Sequence, residues 1–235
     1  MARGRDGEGL KGGRGTGTES LQHVVFLAFG LFVGLIAHEY AHAFVALRLG
    51  DLTPKLAGRL TLNPKRHVEV FGTLILPGIL LLVVFFGGKP FAFAYAKPQP
   101  LNQYGFRKQD RQVILTSLAG PAANLVLALV FGALFRAVVG VGAVGALRLF
   151  LSDLVLVNVI LAVMNLMPIP PLDASRVVAT LLPPRPREVM TNLEPYGALF
   201  MLLIFFIISG PIFSFVRIIG NGVCQLVSGQ HCIFG

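Results

Sequence analysis

His38, Glu39 and His42 stand in the order His-Glu-x-x-His inside an apolar run. Residues four apart share one face of a helix, so both imidazoles can bind one zinc ion at about 2.0–2.1 Å, while the glutamate beside the first ligand reaches a water held at an open position and acts as its general base. With five histidines and six glutamates in 235 residues, chance produces the pattern about 0.3% of the time. The alternative is a pair of core histidines satisfied by hydrogen bonds. Its weight falls because ionisable groups in an apolar membrane segment are costly and mark function by default.

Two histidines leave a catalytic zinc one protein ligand short, since such sites take three and keep a fourth position for water. His23 and His67 lie at the edges of apolar runs, His231 lies near the C-terminus, and the acids near apolar runs are Asp51, Glu69, Asp153 and Asp173. Asp173 stands out in Asn165-Leu-Met-Pro-Ile-Pro-Pro-Leu-Asp173, where three prolines end a helix and force an extended chain that can turn a carboxylate back into the protein. A Pro-rich helix stop followed by a solvated aspartate is the competing reading.

The elements that must hold these groups are membrane helices. A chain that is 54% hydrophobic and 13% charged, with a mean hydropathy of +0.74, is too apolar for a soluble domain. Its formal charge of +9 sits in short stretches between apolar runs, as loops facing anionic lipid carry it, and this excludes nucleic acid as a partner. Spans need roughly 20 apolar residues, which predicts helices at 23–46, 112–136, 149–167 and 196–216. The run 71–88 differs. Pro77 and Gly78 interrupt it, Gly87-Gly88 end it, and a second short apolar piece, 91–96, follows, so the pair reads as a re-entrant hairpin. Alternation through 57–62 predicts a short strand. The fold class is therefore an all-α polytopic bundle of about four to six transmembrane helices, with a re-entrant hairpin or short membrane-associated strands.

Residues 1–22 are Gly- and Arg-rich without apolar periodicity and read as a disordered tail, leaving 23–235 as one integral domain. Ala41-His42-Ala43 mimics a signal-peptide cleavage site, but apolar character resumes beyond it and that reading is rejected. Cys224 and Cys232 are too few for a disulfide framework; two free thiols are expected, although they can pair if that end faces an oxidising space.

The His-Glu-x-x-His helix together with NLMPIPPLD at the end of a later one resembles the site-2 protease family of intramembrane zinc metalloproteases. LGDLTPK (49–55), GRLTLNPKRH (58–67), GTLILP (72–77), AYAKPQPLN (94–102) and SLAGPAANLVLA (117–128) resemble its short prokaryotic branch without a PDZ domain. The resemblance implies one Zn2+ per chain held by His38, His42 and Asp173, with Glu39 activating the water and Asn165 holding the substrate or its oxyanion. Asn124 would line the site or make a packing contact, and the small residues of Gly120-Pro121-Ala122-Ala123 are read as close helix packing. The chain departs from the family in three places. Ala174 replaces a glycine, His67-Val-Glu-Val70 replaces an acid-then-proline pattern, and Ala94-Tyr95 stands where tryptophan is common.

The implied partner is a transmembrane helix of a membrane-protein substrate within the lipid bilayer of a prokaryotic cell membrane, which the chain would cross several times. A helical peptide bond is shielded, so the substrate must unwind locally, and Gly, Pro or Asn near the cut favours cleavage. The rival readings are a catalytically inactive homologue that binds membrane helices and a divalent-metal transporter. A structural site has no need of Glu39, and the segments 112–136 and 196–216 lack the ionisable residues a transport path requires. If the first and fourth apolar segments share one metal site they run in the same direction, so 71–97 does not cross. With Lys89 and Lys97 assigned to the side of 47–70, 98–111 and 172–195, thirteen Lys and Arg fall there against seven opposite, which makes that side cytoplasmic and puts the N-terminal tail outside.

Overall fold

The computed structural model describes residues 17–87, 93–95, 109–142, 145–193, 196–197 and 209–229. Among them lie α1 (Gly17–Arg48), α2 (Thr53–Leu56), α3 (Leu76–Phe85), α4 (Gln109–Gly140), α5 (Ala146–Asn165), α6 (Asp173–Leu181), α7 (Pro184–Leu193) and α8 (Ser209–Ser228). Three stretches are long and apolar enough to cross a membrane, Ser20–Arg48, Asp110–Gly140 and Ala146–Asn165. The protein is an all-α polytopic membrane protein, with no strand among the described residues.

Burial separates the three. In α5, 72% of the apolar window is buried, against 28% in α1 and 22% in α4, because α5 is hydrophobic on all sides and is packed on all sides. Phe29 and Phe32 of α1 and Val126, Leu129 and Val130 of α4 are exposed, as lipid-facing side chains are. Gly30 and Gly34, one turn apart, let α1 approach α5. A Cβ on Gly30 would lie 3.3 Å from Leu154, and one on Gly34 would lie 2.9 Å from Leu161.

Contacts fix the helix directions. From Gly30 to Gly34 the facing residues rise from Leu154 to Leu161, so α1 and α5 run parallel. Gln112 Nε2 donates to Leu49 O, His42 Nδ1 donates to Thr116 O, and Asn124 Nδ2 donates to Gly34 O, so α4 runs antiparallel to α1. The segment between α1 and α4 therefore contributes no net crossing. A π-helical turn at Val70–Ile75 leads into α3, and the 16 residues Val70–Phe85 extend about 24 Å, short of a bilayer core. By 93–95 the chain is back at its start. Tyr95 N donates to Gly72 O at 3.1 Å, and Thr73 Oγ1 donates to Tyr95 O at 3.0 Å.

Four expectations are corrected or adjusted. The strand expected at 57–62 is a curled loop. Gly58 has φ +67°, Arg59 N donates to Pro54 O, and the Arg59 guanidinium donates to Arg66 O, so the backbone turns on itself where a strand needs an extended partner. Helix α1 begins at Gly17, taking in the last six residues of the expected tail; 1–16 lie outside the described residues. The helix expected at 196–216 falls mostly on 198–208, also outside them, and the observed helix continues through Arg217 to Ser228 because Val216, Gly220, Cys224 and Val227 form a buried face. Cys224 is disulfide-bonded, not a free thiol. Spacing alone carries no information on pairing; residue 232 lies outside the described residues.

Cysteines placed singly at Lys55 and Arg111, both exposed, are expected to react alike with an impermeant thiol reagent in intact cells. Labelling of one and protection of the other would show that the segment containing α3 crosses the membrane.

Candidate metal centre

His38 and His42 lie one turn apart on α1, and α6 begins at Asp173 after the proline-rich bend that leaves α5. His38 Nε2 and His42 Nε2 are 3.0 Å apart, and Asp173 Oδ2 lies 3.0 Å from the first and 3.2 Å from the second. Among the described residues this is the group of His, Cys, Asp and Glu that could hold a metal ion.

The hydrogen bonds on the far side of each ring decide what the near side offers. His38 Nδ1 is 2.6 Å from Asn124 Oδ1, and His42 Nδ1 is 2.6 Å from Thr116 O. A backbone carbonyl only accepts. The Asn124 amide is oriented by its own nitrogen, which donates to Gly34 O and to Asn158 Oδ1, each at 3.0 Å. Both Nδ1 atoms therefore carry protons, and both Nε2 atoms of the neutral rings present lone pairs to Asp173 Oδ2, a buried oxygen without a hydrogen-bond donor. Three acceptors converge on one point. A tetrahedral zinc at about 2.0–2.1 Å from each ligand sets ligand atoms roughly 3.3 Å apart, so the separations of 3.0–3.2 Å and the donor chemistry both fit the ion.

Glu39, Asn165, Tyr95 and Arg176 line a cavity of about 40 Å³ beside these three residues. It has room for water. Glu39 is 6% exposed. Asn165 points the same way but spends one amide hydrogen on Leu161 O at 2.9 Å. Asn124, fully buried, stands behind His38 and does not line this cavity. A Cβ on Gly120 would lie 2.3 Å from His42 Nε2 and 2.5 Å from His38 Nε2, so the bare backbone of α4 walls the site; the close packing expected of 120–123 is packing against the imidazoles themselves.

The other ionisable candidates are engaged elsewhere. His23 Nδ1 lies 3.0 Å from Asp153 Oδ2, between α1 and α5. His67 Nε2 donates to Thr61 O, Asp51 accepts from Thr53 N, and Glu69 accepts from Gly72 N; His231 lies outside the described residues. Two residues of the site escape sequence reasoning. Asn158, which orients Asn124, is a mid-helix amide with no motif around it, and Arg176, one turn after Asp173, follows ordinary amphipathic spacing.

An apolar bundle with two histidines and one carboxylate gathered where they could hold a metal ion defines a membrane protein with a candidate metal centre and a glutamate beside it. The chain is 39% identical over 186 residues to "Putative zinc metalloprotease YwhC" of Bacillus subtilis, covering 77% of this chain and 80% of that protein. It is 33% identical over 189 residues to the like-named Rip2 of Mycobacterium tuberculosis, and 31% identical over 183 residues to that of Mycolicibacterium smegmatis. It spans 66% of each of these two. The chain belongs to this zinc metalloprotease family. No family model matches it, and no solved structure matches it.

Replacing Asn124 with Ala removes the acceptor that fixes the His38 tautomer, and Gly120→Ala drives a methyl group into both rings. Each is expected to lower zinc affinity by about 10–100-fold, measured by competition with a chromophoric chelator. Gly140→Ala, where an added Cβ meets nothing within 4 Å, serves as control. Undiminished affinity in both site variants would refute the tautomer assignment.

Proposed function

We propose that the protein is an intramembrane zinc endopeptidase of the site-2 protease family, of the short branch without a PDZ domain, cutting transmembrane segments of membrane-protein substrates in regulated intramembrane proteolysis. The observation that carries this reading is the position of Glu39. It lines the cavity beside His38, His42 and Asp173, nine residues before the end of α1 at Arg48 and so about 13.5 Å along the helix from it, within the apolar layer.

His38, His42 and Asp173 would hold one zinc, which when bound would supply a Lewis acid and a more acidic water. Glu39 would serve as the base for that water and as the proton donor to the leaving amine. Asn165, with one amide hydrogen still available, donates toward the developing oxyanion. Asn124 and Thr116 hold the two rings in the tautomer that leaves Nε2 free, and Gly120 keeps the wall close.

The site opens toward the cytoplasm in this reading. Thirteen Lys and Arg against seven favour that side, and the disulfide favours it independently. The end of α8 meets the C-terminal part of α4, where Arg136 donates to Leu226 O, opposite the end where Thr116 and Asn124 meet the histidines. A disulfide at Cys224 belongs to the oxidising, outer side, which leaves the metal centre nearer the inner one.

Glu39→Gln should retain close to one zinc per chain and lose proteolysis, because the amide keeps all three ligands and removes the base. Membrane proteomes of cells expressing the variant or the wild type should then differ by uncut type II or anti-sigma-like membrane proteins. Wild-type turnover in the variant would overturn the mechanism. Asp173→Asn, which removes the anionic ligand, should weaken zinc binding as well as activity; survival of both would make Asp173 a bystander.

A further inference from the structure

A second cavity, of about 420 Å³, lies between α1 and the re-entrant segment. Leu31 and Leu35 wall it from α1, Gly78 and Leu81 from α3, and Ala94 from the returning chain. Its volume falls in the range of small-molecule pockets. Leu35 and Ala94 also line the cavity at the metal centre, and Leu35 lies one turn before Glu39 on α1. The two spaces thus adjoin across two apolar side chains.

The smaller space, about 40 Å³, accepts water but no leucine side chain. A peptide whose carbonyl reaches the three ligands places its next side chains within about 3.3–3.6 Å per residue along an extended backbone, and beyond Leu35 and Ala94 the available volume is the apolar cavity. We propose that this cavity is the subsite for a large aliphatic or aromatic side chain of the substrate adjoining the bond cut at the metal centre. The assignment rests on the protease reading. It makes the enzyme selective for segments that place such a residue beside a helix-weakening one, because a lining that is apolar apart from His67 and Thr73 favours apolar side chains.

Gly78 provides the means of testing it. An added Cβ there meets nothing within 4 Å, and leucine is the better helix former, so Gly78→Leu fills the cavity without a backbone clash. Ala28→Leu intrudes from the α1 wall. The probes are hydroxamates, which chelate zinc without needing a known substrate, bearing a methyl or an isobutyl group on either side of the chelator. Binding to the purified, zinc-loaded protein is measured in detergent, with melting temperatures reported for both variants.

In the wild type an isobutyl compound should bind at least about tenfold more tightly than its methyl counterpart, and in Gly78→Leu and Ala28→Leu that preference should fall to about unity. Equal binding of methyl and isobutyl compounds by the wild type would overturn the subsite, as would a preference unchanged in both folded variants. If no hydroxamate binds the zinc-loaded wild type, the metal-centre reading fails and the subsite fails with it.

Discussion

Three acceptor atoms gathered inside an apolar bundle form an arrangement suited to a cation. His38 Nε2, His42 Nε2 and Asp173 Oδ2 lie within 3.0–3.2 Å of one another, and in low dielectric such mutual repulsion is screened little. A metal ion converts it into attraction. What the fold contributes is everything that keeps the three acceptors in place until the ion arrives: protons fixed on both Nδ1 atoms, a wall without a Cβ, and a proline-bent chain that returns a carboxylate to the end of α1.

Those demands explain features that hydrophobic patterning alone leaves unmotivated. Gly34 lets α1 and α5 close on each other, and Asn124 and Asn158 meet in the same junction, with Asn158 Nδ2 donating to Leu154 O at 2.8 Å. Each side-chain nitrogen in that chain has at least one acceptor, as burial demands. The result is a relay of orientation across three helices, from the α5 backbone through Asn158 and Asn124 to the ring of His38. Such outer partners tune a metal nearly as strongly as the ligands do.

The parts of this design that are local in sequence were legible there. His38, Glu39 and His42 form one helical turn, and the prolines around 168–171 announce a reversal that frees Asp173. The non-crossing character of 71–97 followed from parity and from Pro77 and Gly78, and the parallel α1 and α5 agree with it. Asn158 and Arg176 were not legible, because one polar residue on a helix has no period and acquires meaning only from the helix opposite. Alternation at 57–62 misled for a related reason: a strand needs a neighbour, and residues 54 and 66 instead hold that loop in a curl. The disulfide at Cys224 depends on the redox compartment, which two isolated cysteines do not encode.

Scale places a last constraint on how such a centre works. A helix with its side chains is about 10–12 Å across, whereas the space beside Glu39 is about 40 Å³. No intact helix fits there, so under the proposed function the substrate meets the ligands as unwound chain, and its freed backbone groups need partners inside the protein. The returning residues 93–95 lie against this space, tied to the start of the re-entrant segment by Tyr95 N to Gly72 O and by Thr73 Oγ1 to Tyr95 O. Tyr95 also packs on Gly72, where a Cβ would lie 2.6 Å from its ring. Phe93, fully buried, and Ala94, nearly so, also anchor this return in the core that α1 and α5 share. Chain that displaced 93–95 would have to uncover Phe93 as well as break these contacts, so under the proposed function the cover is held by burial as much as by hydrogen bonds.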